Sequence, residues 1–192
     1  MTEHARKQGG PDALPLAGTD PHAMLRTPMR AELAADLELL LAEAEVVAAR
    51  TAKPTPLADR FIRSAAAGGR RLAITSNNAP LAVETYLERH DLDIYFQGRV
   101  FGRDTKDPAL MKPHPDCLLR ALDALDVRPG QALMIGDSAP DAAAAKAAGV
   151  PFLGYARSPD RVARLRTVDP HPVVVGMQVL VAAVEDVAAP SN

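Results

Sequence analysis

The sequence is poor in cysteine and in aromatic residues. Its 192 residues include one cysteine, no tryptophan, three tyrosines and four phenylalanines. The lone Cys117 excludes an internal disulfide and fits a reducing compartment, which we take to be the cytoplasm. The shortage of aromatic side chains removes the stacking platform on which proteins bind single-stranded nucleic acids.

The sequence also lacks a strong charge bias and a long apolar run. The formal net charge is −2, and lysine and arginine are dispersed along the chain, which argues against a nucleic-acid partner. No apolar run reaches the roughly 18–20 residues that a membrane span needs. The first residues carry no apolar segment of the secretory type. We therefore expect a soluble protein that handles a small molecule.

Three segments follow one another along the chain. Residues 1–19 are rich in glycine, proline and polar residues, which is typical of a flexible tail. Residues 20–55 are helical in pattern: Asp20 precedes Pro21 as an N-cap, and apolar residues spaced by three and four predict a long amphipathic helix over 29–50. A proline-rich joint, KPTPLA, then leads into a third segment, residues 56–192.

In the third segment, short apolar strands alternate with helices. Strands are predicted in RRLAITSNN, IYFQGRVFGRD, PGQALMIGD, PFLGYA and PVVVG, most of them separated by helical stretches. This alternation predicts a parallel sheet with helices on both faces, a three-layer α/β/α core. Ligands of such sheets bind beyond the carboxyl ends of the strands, so the residues that follow each strand are the candidate site.

Polar residues stand at three of these positions. Ser76 and Asn77 follow a strand and suit either a phosphate oxygen or a helix N-cap. Lys112 suits either a phosphoryl group or a solvated surface. Asp137 directly follows an apolar strand, with Asp141 four residues later, and the pair suits either Mg²⁺ or a helix cap.

Taken in order, Ser76, Lys112 and the pair Asp137 and Asp141 resemble the second, third and fourth motifs of the haloacid dehalogenase-like (HAD-like) hydrolase superfamily. The stretches SNNAPLAVETYLERH, MKPHPDCLLRALDAL and GDSAPDAAAAKAAGVPFLGYA are similar to its phosphoglycolate-phosphatase-type branch. The resemblance covers about residues 56–187 and implies a Rossmannoid fold. The helices at 20–50 resemble the remnant of a helical cap.

This resemblance also implies a function. It implies a Mg²⁺-dependent phosphatase of a small phosphorylated metabolite. Ser76 and Lys112 would be catalytic, the same two residues and Asn77 would bind substrate, and Asp137 and Asp141 would be metal ligands. Dehalogenation, another activity of the superfamily, is disfavoured because the Gly-Asp pair suits a metal, which phosphoryl transfer uses.

The first motif of the superfamily has no counterpart in the expected place. That motif is a strand followed by Asp-x-Asp, whose first aspartate attacks the phosphoryl group. Residues 1–30 contain no Asp-x-Asp, and Asp91-Leu92-Asp93 follows a helix instead of a strand. We therefore expect the first core strand to be missing and this chain to have little or no activity.

The empty place, between the strands that end at Ser76 and Asp137, leaves several possibilities open. Residues 14–17 could fill it, although Pro15 lacks the N–H of a central strand. The flanking strands could pair, or another polypeptide could donate a strand, as a homodimer or a separate partner. The sequence could also be truncated or its start mis-assigned. A natural loss would instead leave an inactive phosphate-binding or protein-interaction module.

Overall fold

A computed structural model describes residues 20–165 and 171–188 of the protein. The predicted tail at 1–19, including the candidate strand at 14–17, lies outside the described residues. No helix within the described ranges is long and apolar enough to cross a membrane.

The described chain alternates helices and parallel strands. The helices are α1 (Pro21–Leu25), α2 (Ala31–Thr51), α3 (Ala58–Ala67), α4 (Pro80–Arg89), α5 (Asp93–Phe96), α6 (Asp116–Leu125), α7 (Ala139–Ala148), α8 (Pro159–Leu165) and α9 (Met177–Ala188). The strands are β1 (Ile74–Thr75), β2 (Val100–Phe101), β3 (Met134–Gly136), β4 (Phe152–Ala156) and β5 (Val173–Val175). This confirms the predicted α/β class.

The strands form two separate parallel sheets within the described residues. β1 pairs with β2, with Thr75 opposite Phe101, and the second sheet has the order β3-β4-β5. β1 and β3 do not pair, so closure of the flanking strands does not occur here. The carbonyl oxygen of Thr75 instead accepts a hydrogen bond from the Lys112 side chain at 2.9 Å. The last carbonyl oxygen of β1 is therefore hydrogen-bonded to a side chain.

Local contacts cap the helix ends, and the N-cap predicted at Asp20 is confirmed. The Asp20 side chain accepts a hydrogen bond from the His22 amide and caps α1. Ser138 caps α7, and Gly149, at φ +70°, ends it in the left-handed conformation that glycine tolerates best. These contacts involve neighbours in the sequence, which is why the sequence pattern was sufficient to place them.

The prediction of one or two short strands in residues 94–104 is confirmed by β2, while residues 94–96 belong to the single-turn helix α5, which was not predicted. Leu92 and Phe96, four residues apart, are both buried in one apolar cluster with Leu87. The Gln97 amide donates to the Asp93 carbonyl oxygen at 3.1 Å, which is the i to i−4 hydrogen bond of an α-helical turn. This bond, and not the burial of the pair, distinguishes the turn from a strand. Helix α8 was not predicted either.

Two apolar clusters are relevant to the site. One lies between α6, α7 and β3 and contains Cys117, Leu118 and Met134, with the small alanines of α7 allowing close packing. The other joins α1 and α2 to the loop before Lys112 through a cluster of buried residues, namely Leu25, Leu37, Leu41 and Met111. The predicted cap segment therefore packs directly beside the Lys112 loop. Its identity as a cap remnant stays a prediction.

Candidate functional site

The Lys112 side chain joins the ends of the two sheets. Its Nζ atom donates to the carbonyl oxygen of Thr75 at the end of β1, over 2.9 Å. The same atom lies 2.7 Å from Oδ1 of Asp141 in α7. Ser76 directly follows Thr75, so Lys112 lies one peptide unit from it. The fold thus brings Ser76, Lys112 and Asp141 together.

Asn77 holds the backbone of Lys112 on both sides. Its Oδ1 accepts from the Lys112 amide at 2.8 Å, and its Nδ2 donates to the Lys112 carbonyl oxygen at 3.0 Å. Arg26, at the end of α1, donates to that same carbonyl oxygen at 2.6 Å. The amide of Asn77 is therefore engaged with the protein itself. Contact of Asn77 with substrate stays a prediction. In the structure, the Asn77 side chain positions Lys112.

The Asp141 carboxylate is fully engaged by its surroundings. Beyond the Lys112 ion pair, Oδ2 accepts from the Ser138 hydroxyl at 2.6 Å, the Ser138 amide at 3.1 Å and the Asp137 amide at 3.3 Å. Asp141 therefore orients Lys112 and completes the capping box of α7. Gly136 permits this approach, since a Cβ atom there would lie 2.7 Å from the Cβ of Asp141.

Three polar groups remain open at this place. The Asp137 carboxylate is exposed, and it makes no hydrogen bond or ion pair with the described residues. The Ser76 Oγ accepts from the Asn78 amide at 3.1 Å, which leaves its hydroxyl hydrogen to donate. Lys112 uses two of the three donors of an ammonium group. Ser76 and Lys112 thus each keep a free donor, and the Asp137 carboxylate has no partner among the described residues.

The residues around Lys112 offer few ligands for a metal ion. Among residues 20–165 and 171–188, no three His, Cys, Asp or Glu side chains are grouped to hold one. Because Asp141 is engaged, Asp137 is the free carboxylate of the predicted pair. Mg²⁺ is held by one or two carboxylates together with phosphate oxygens and water, so these residues fit it when a phosphate is also bound.

The sequence interpretation missed a buried ion cluster beside the site, formed by Arg103, Glu38 and Glu45. The Arg103 side chain has 0 % exposure, and its guanidinium lies 2.7 Å from both carboxylates. One signal was available in the sequence. Glu38 stands within the apolar stripe of α2, between Leu37 and Leu41, where a buried charge requires a partner.

The cluster favours the charged forms of Glu45 and Arg103. Burial, the largest influence, would raise the pKa of Glu45, but hydrogen bonds from His22, Ala79 and Arg103 outweigh it and hold that pKa below its ordinary value. Burial would likewise lower the pKa of Arg103, yet its bonds to Glu38 and Glu45 keep it above the ordinary value.

Comparison with known proteins identifies the family of the chain. A family model for haloacid dehalogenase-like hydrolases matches residues 5–149. The phosphoglycolate phosphatase of Escherichia coli (strain K12) is 39% identical over 88 residues, which are 46% of this chain and 34% of that protein. The phosphoglycolate phosphatase of Salmonella choleraesuis matches with the same identity and coverage. The matched region spans about a third of the length of these curated relatives.

Solved structures show the same fold. A conserved haloacid dehalogenase-like protein of unknown function from Agrobacterium tumefaciens has a TM-score of 0.62 at 24% identity, covering 88% of this chain and 75% of that one. A HAD family hydrolase from Deinococcus radiodurans, solved with bound phosphate and sodium, has a TM-score of 0.62 at 23% identity, covering 91% and 79%. The chain therefore belongs to the haloacid dehalogenase-like hydrolase family.

Proposed function

We propose that the protein binds the phosphoryl group of a small phosphorylated metabolite at Ser76, Lys112 and Asp137, and that its activity is phosphomonoester hydrolysis. These three residues are called the phosphate site below. The observation that carries this proposal is the Lys112 ammonium, fixed at the end of β1 by Thr75 and Asp141. The phosphatase relatives support it. Its compartment is proposed to be the cytoplasm.

Each residue of the phosphate site has a distinct part in binding. The Ser76 hydroxyl donates its free hydrogen to a phosphoryl oxygen, and Lys112 donates its third N–H to another. Because Asp141 holds the ammonium in place, a phosphate meets a donor of fixed orientation. Asp137 is a carboxylate and repels a bare phosphate, so binding there is favoured when a cation lies between them.

Mg²⁺ is the cation that this arrangement suits. Asp137 would hold it together with oxygens of the bound phosphoryl group, and the ion would supply neutralisation of their negative charge. Accordingly, phosphate and Mg²⁺ should bind together more tightly than either alone.

Hydrolysis further needs an attacking carboxylate. Asp141 is engaged by Lys112 and Ser138, and the Asp-x-Asp at 91–93 follows α4 and ends at the first residue of α5. Among the described residues of the phosphate site, the free carboxylate is Asp137, and the proposal assigns it to the cation, so no separate carboxylate is left as the nucleophile. We expect turnover by this chain to be residual, and full turnover to require a carboxylate brought to the space between β1 and β3.

A second candidate is a phosphate-binding module that acts by recruiting a partner. The observation in its favour is the separation of β1 from β3, since each strand pairs on one side only among the described residues. An extended segment from a second copy of the chain or from another protein would add to these edges by strand pairing.

One experiment separates the two candidates. Calorimetry with inorganic phosphate and Mg²⁺ is compared with hydrolysis of p-nitrophenyl phosphate, for the parent chain, Lys112→Met and the exposed control Lys53→Met. Binding and turnover that both depend on Lys112 support the phosphatase. Binding without turnover, with dimerisation or partner capture at the β1 and β3 edges, supports the module. Absence of phosphate binding by the parent chain refutes both.

A further inference from the structure

Arg103 links helix α2 to the loop that carries the phosphate site. Its guanidinium is paired with Glu38 and Glu45 of α2, and its Nη1 also donates to the carbonyl oxygen of Asn77 at 3.0 Å. Its backbone amide donates to the carbonyl oxygen of Asn78 at 3.1 Å. Arg103 therefore contacts both the α2 carboxylates and the turn that follows β1.

The same turn holds Lys112. The Asn77 side chain bonds both the amide and the carbonyl oxygen of Lys112, as described above. A continuous path of hydrogen bonds thus runs from α2 through Arg103 and Asn77 to the backbone of Lys112. Glu45 adds a second link, because its Oε2 accepts from the Ala79 amide at the start of α4, over 2.8 Å.

The charge balance of this cluster needs explaining. Two carboxylates face one guanidinium, and all three side chains are at least nine-tenths buried. A buried ion cluster contributes little net stability compared with well-packed apolar side chains of similar volume. What apolar side chains cannot provide is a directed donor to the Asn77 carbonyl. The cluster fits a role in orienting the turn.

We infer that Arg103 is a positioning residue, which fixes Lys112 through Asn77, and that Glu38 and Glu45 of α2 hold Arg103 in the orientation this requires. Docking of α2 thereby sets the position of the Lys112 ammonium. The inference about Lys112 position stands on the contacts alone. Its consequence for phosphate affinity rests on the proposed function.

The test compares three variants with the parent chain. Arg103→Met removes the donor to Asn77 but leaves two buried carboxylates without their partner, so it lowers stability for that reason as well. The triple variant Glu38→Gln, Glu45→Gln and Arg103→Met removes those charges while still lacking the donor. Arg60→Met is the matched control, because Arg60 is paired with Glu185 between α3 and α9, outside this network.

Two readouts are measured with stability monitored by urea denaturation. The first is the rate at which an amine-reactive label modifies Lys112 relative to the exposed Lys53, quantified by peptide mass spectrometry. The second is the affinity for inorganic phosphate by calorimetry. We expect Lys112 labelling to rise about fivefold or more through local opening in Arg103→Met and in the triple variant. We expect phosphate affinity to fall about tenfold in both, the effect of one lost hydrogen bond of charged type.

A merely structural role predicts a different pattern. If the triple variant regains both parental stability and parental Lys112 protection, Arg103 serves charge balance alone and the inference is wrong. Unchanged Lys112 labelling in a folded Arg103→Met variant is equally contradictory. A parent chain without phosphate affinity would refute the proposed function, while the labelling rates would still decide the role of Arg103.

Discussion

Lys112 Nζ and Asp141 Oδ1 lie 2.7 Å apart, and each side chain is 9% exposed. The ammonium that faces the proposed phosphate position is therefore already balanced by a carboxylate of the next sheet's helix. Because of this pairing, the site offers a phosphate a hydrogen-bond donor of fixed orientation, and the positive charge of Lys112 is not left unbalanced. It also makes the stability of the protein sensitive to what occupies the site.

Replacement of Asp141 tests this pairing. Asp141→Asn leaves the Lys112 ammonium buried without a counter-charge, and breaking a buried pair costs about 3–5 kcal/mol. A bound phosphate would supply the missing negative charge, so the melting temperature of the variant should rise more steeply with phosphate concentration than that of the parent. The surface pair Asp116 with Arg120 is the control, and Asp116→Asn should cost less than about 1 kcal/mol. Equal costs for the two variants would contradict the buried pairing.

Asn77 offers a second test, of the clamp on Lys112. Asn77→Ala removes both hydrogen bonds between the Asn77 side chain and the Lys112 backbone. The Lys112 amide loses its acceptor, and the Lys112 carbonyl oxygen loses one of its donors. We expect a loss of about 1–3 kcal/mol in the free energy of unfolding. The neighbouring Asn78 is exposed, so Asn78→Ala should remain near the parent value in the same urea titration. Equal free energies of unfolding for the two variants would show that the Asn77 hydrogen bonds to Lys112 do not stabilise the protein.

The glycine before Asp137 should not accept a methyl group. A Cβ atom at Gly136 would lie 2.7 Å from the Cβ of Asp141 and 2.9 Å from Cε2 of Phe152. Both neighbours are packed, so Gly136→Ala should cost about 1–3 kcal/mol. Gly130→Ala is the matched control, because no atom lies within 4 Å of a Cβ there. Thermal melts of the two variants measure the difference, and an unshifted Gly136→Ala melt would refute the close approach.

Acid sensitivity should depend on Glu45. Its pKa is lowered in the folded protein relative to its value in the unfolded chain, because hydrogen bonds from His22, Ala79 and Arg103 outweigh burial, which raises it. A lowered pKa means that ionised Glu45 stabilises the fold fully above that unfolded value, and that this contribution is lost as pH falls through the lower folded value. The parent should therefore lose stability more steeply than Glu45→Gln as pH falls below about 4.3, the usual pKa of an unfolded glutamate. Glu43→Gln, exposed on the same helix, should follow the parent curve.

The sequence was sufficient to predict those parts of the structure that depend on contacts between residues close together in the chain. Asp20 and Gly149 mark helix ends through contacts within a few residues. The alternation of apolar strands and helices indicated the α/β class. The rule that parallel strands end at one edge places Ser76 and Asp137, whereas Lys112 lies in a loop between a short helical turn and α6, so its prediction as a strand-end residue is wrong. Each of these signals is readable in a short window of sequence.

Contacts between distant elements were not readable in this way. The pairing of Arg103 with Glu38 and Glu45 spans 65 and 58 residues and depends on how α2 docks. The engagement of Asn77 with the Lys112 backbone spans 35 residues and uses an amide that the sequence suggested for substrate. Such pairs follow from tertiary packing, which no local pattern encodes. The helical turn at 93–96 was missed for another reason, since four residues are too few to show the apolar period of a helix.

The central claim is that residues far apart in sequence form one anion site. Titration of isotope-labelled protein with inorganic phosphate and Mg²⁺, followed by amide NMR, tests it most directly. We predict that the amide signals of Ser76, Lys112 and Asp137 shift together and report one shared dissociation constant, while the signal of Lys53 stays in place. Shifts that are absent, or that report different dissociation constants for these three residues, would contradict a single site.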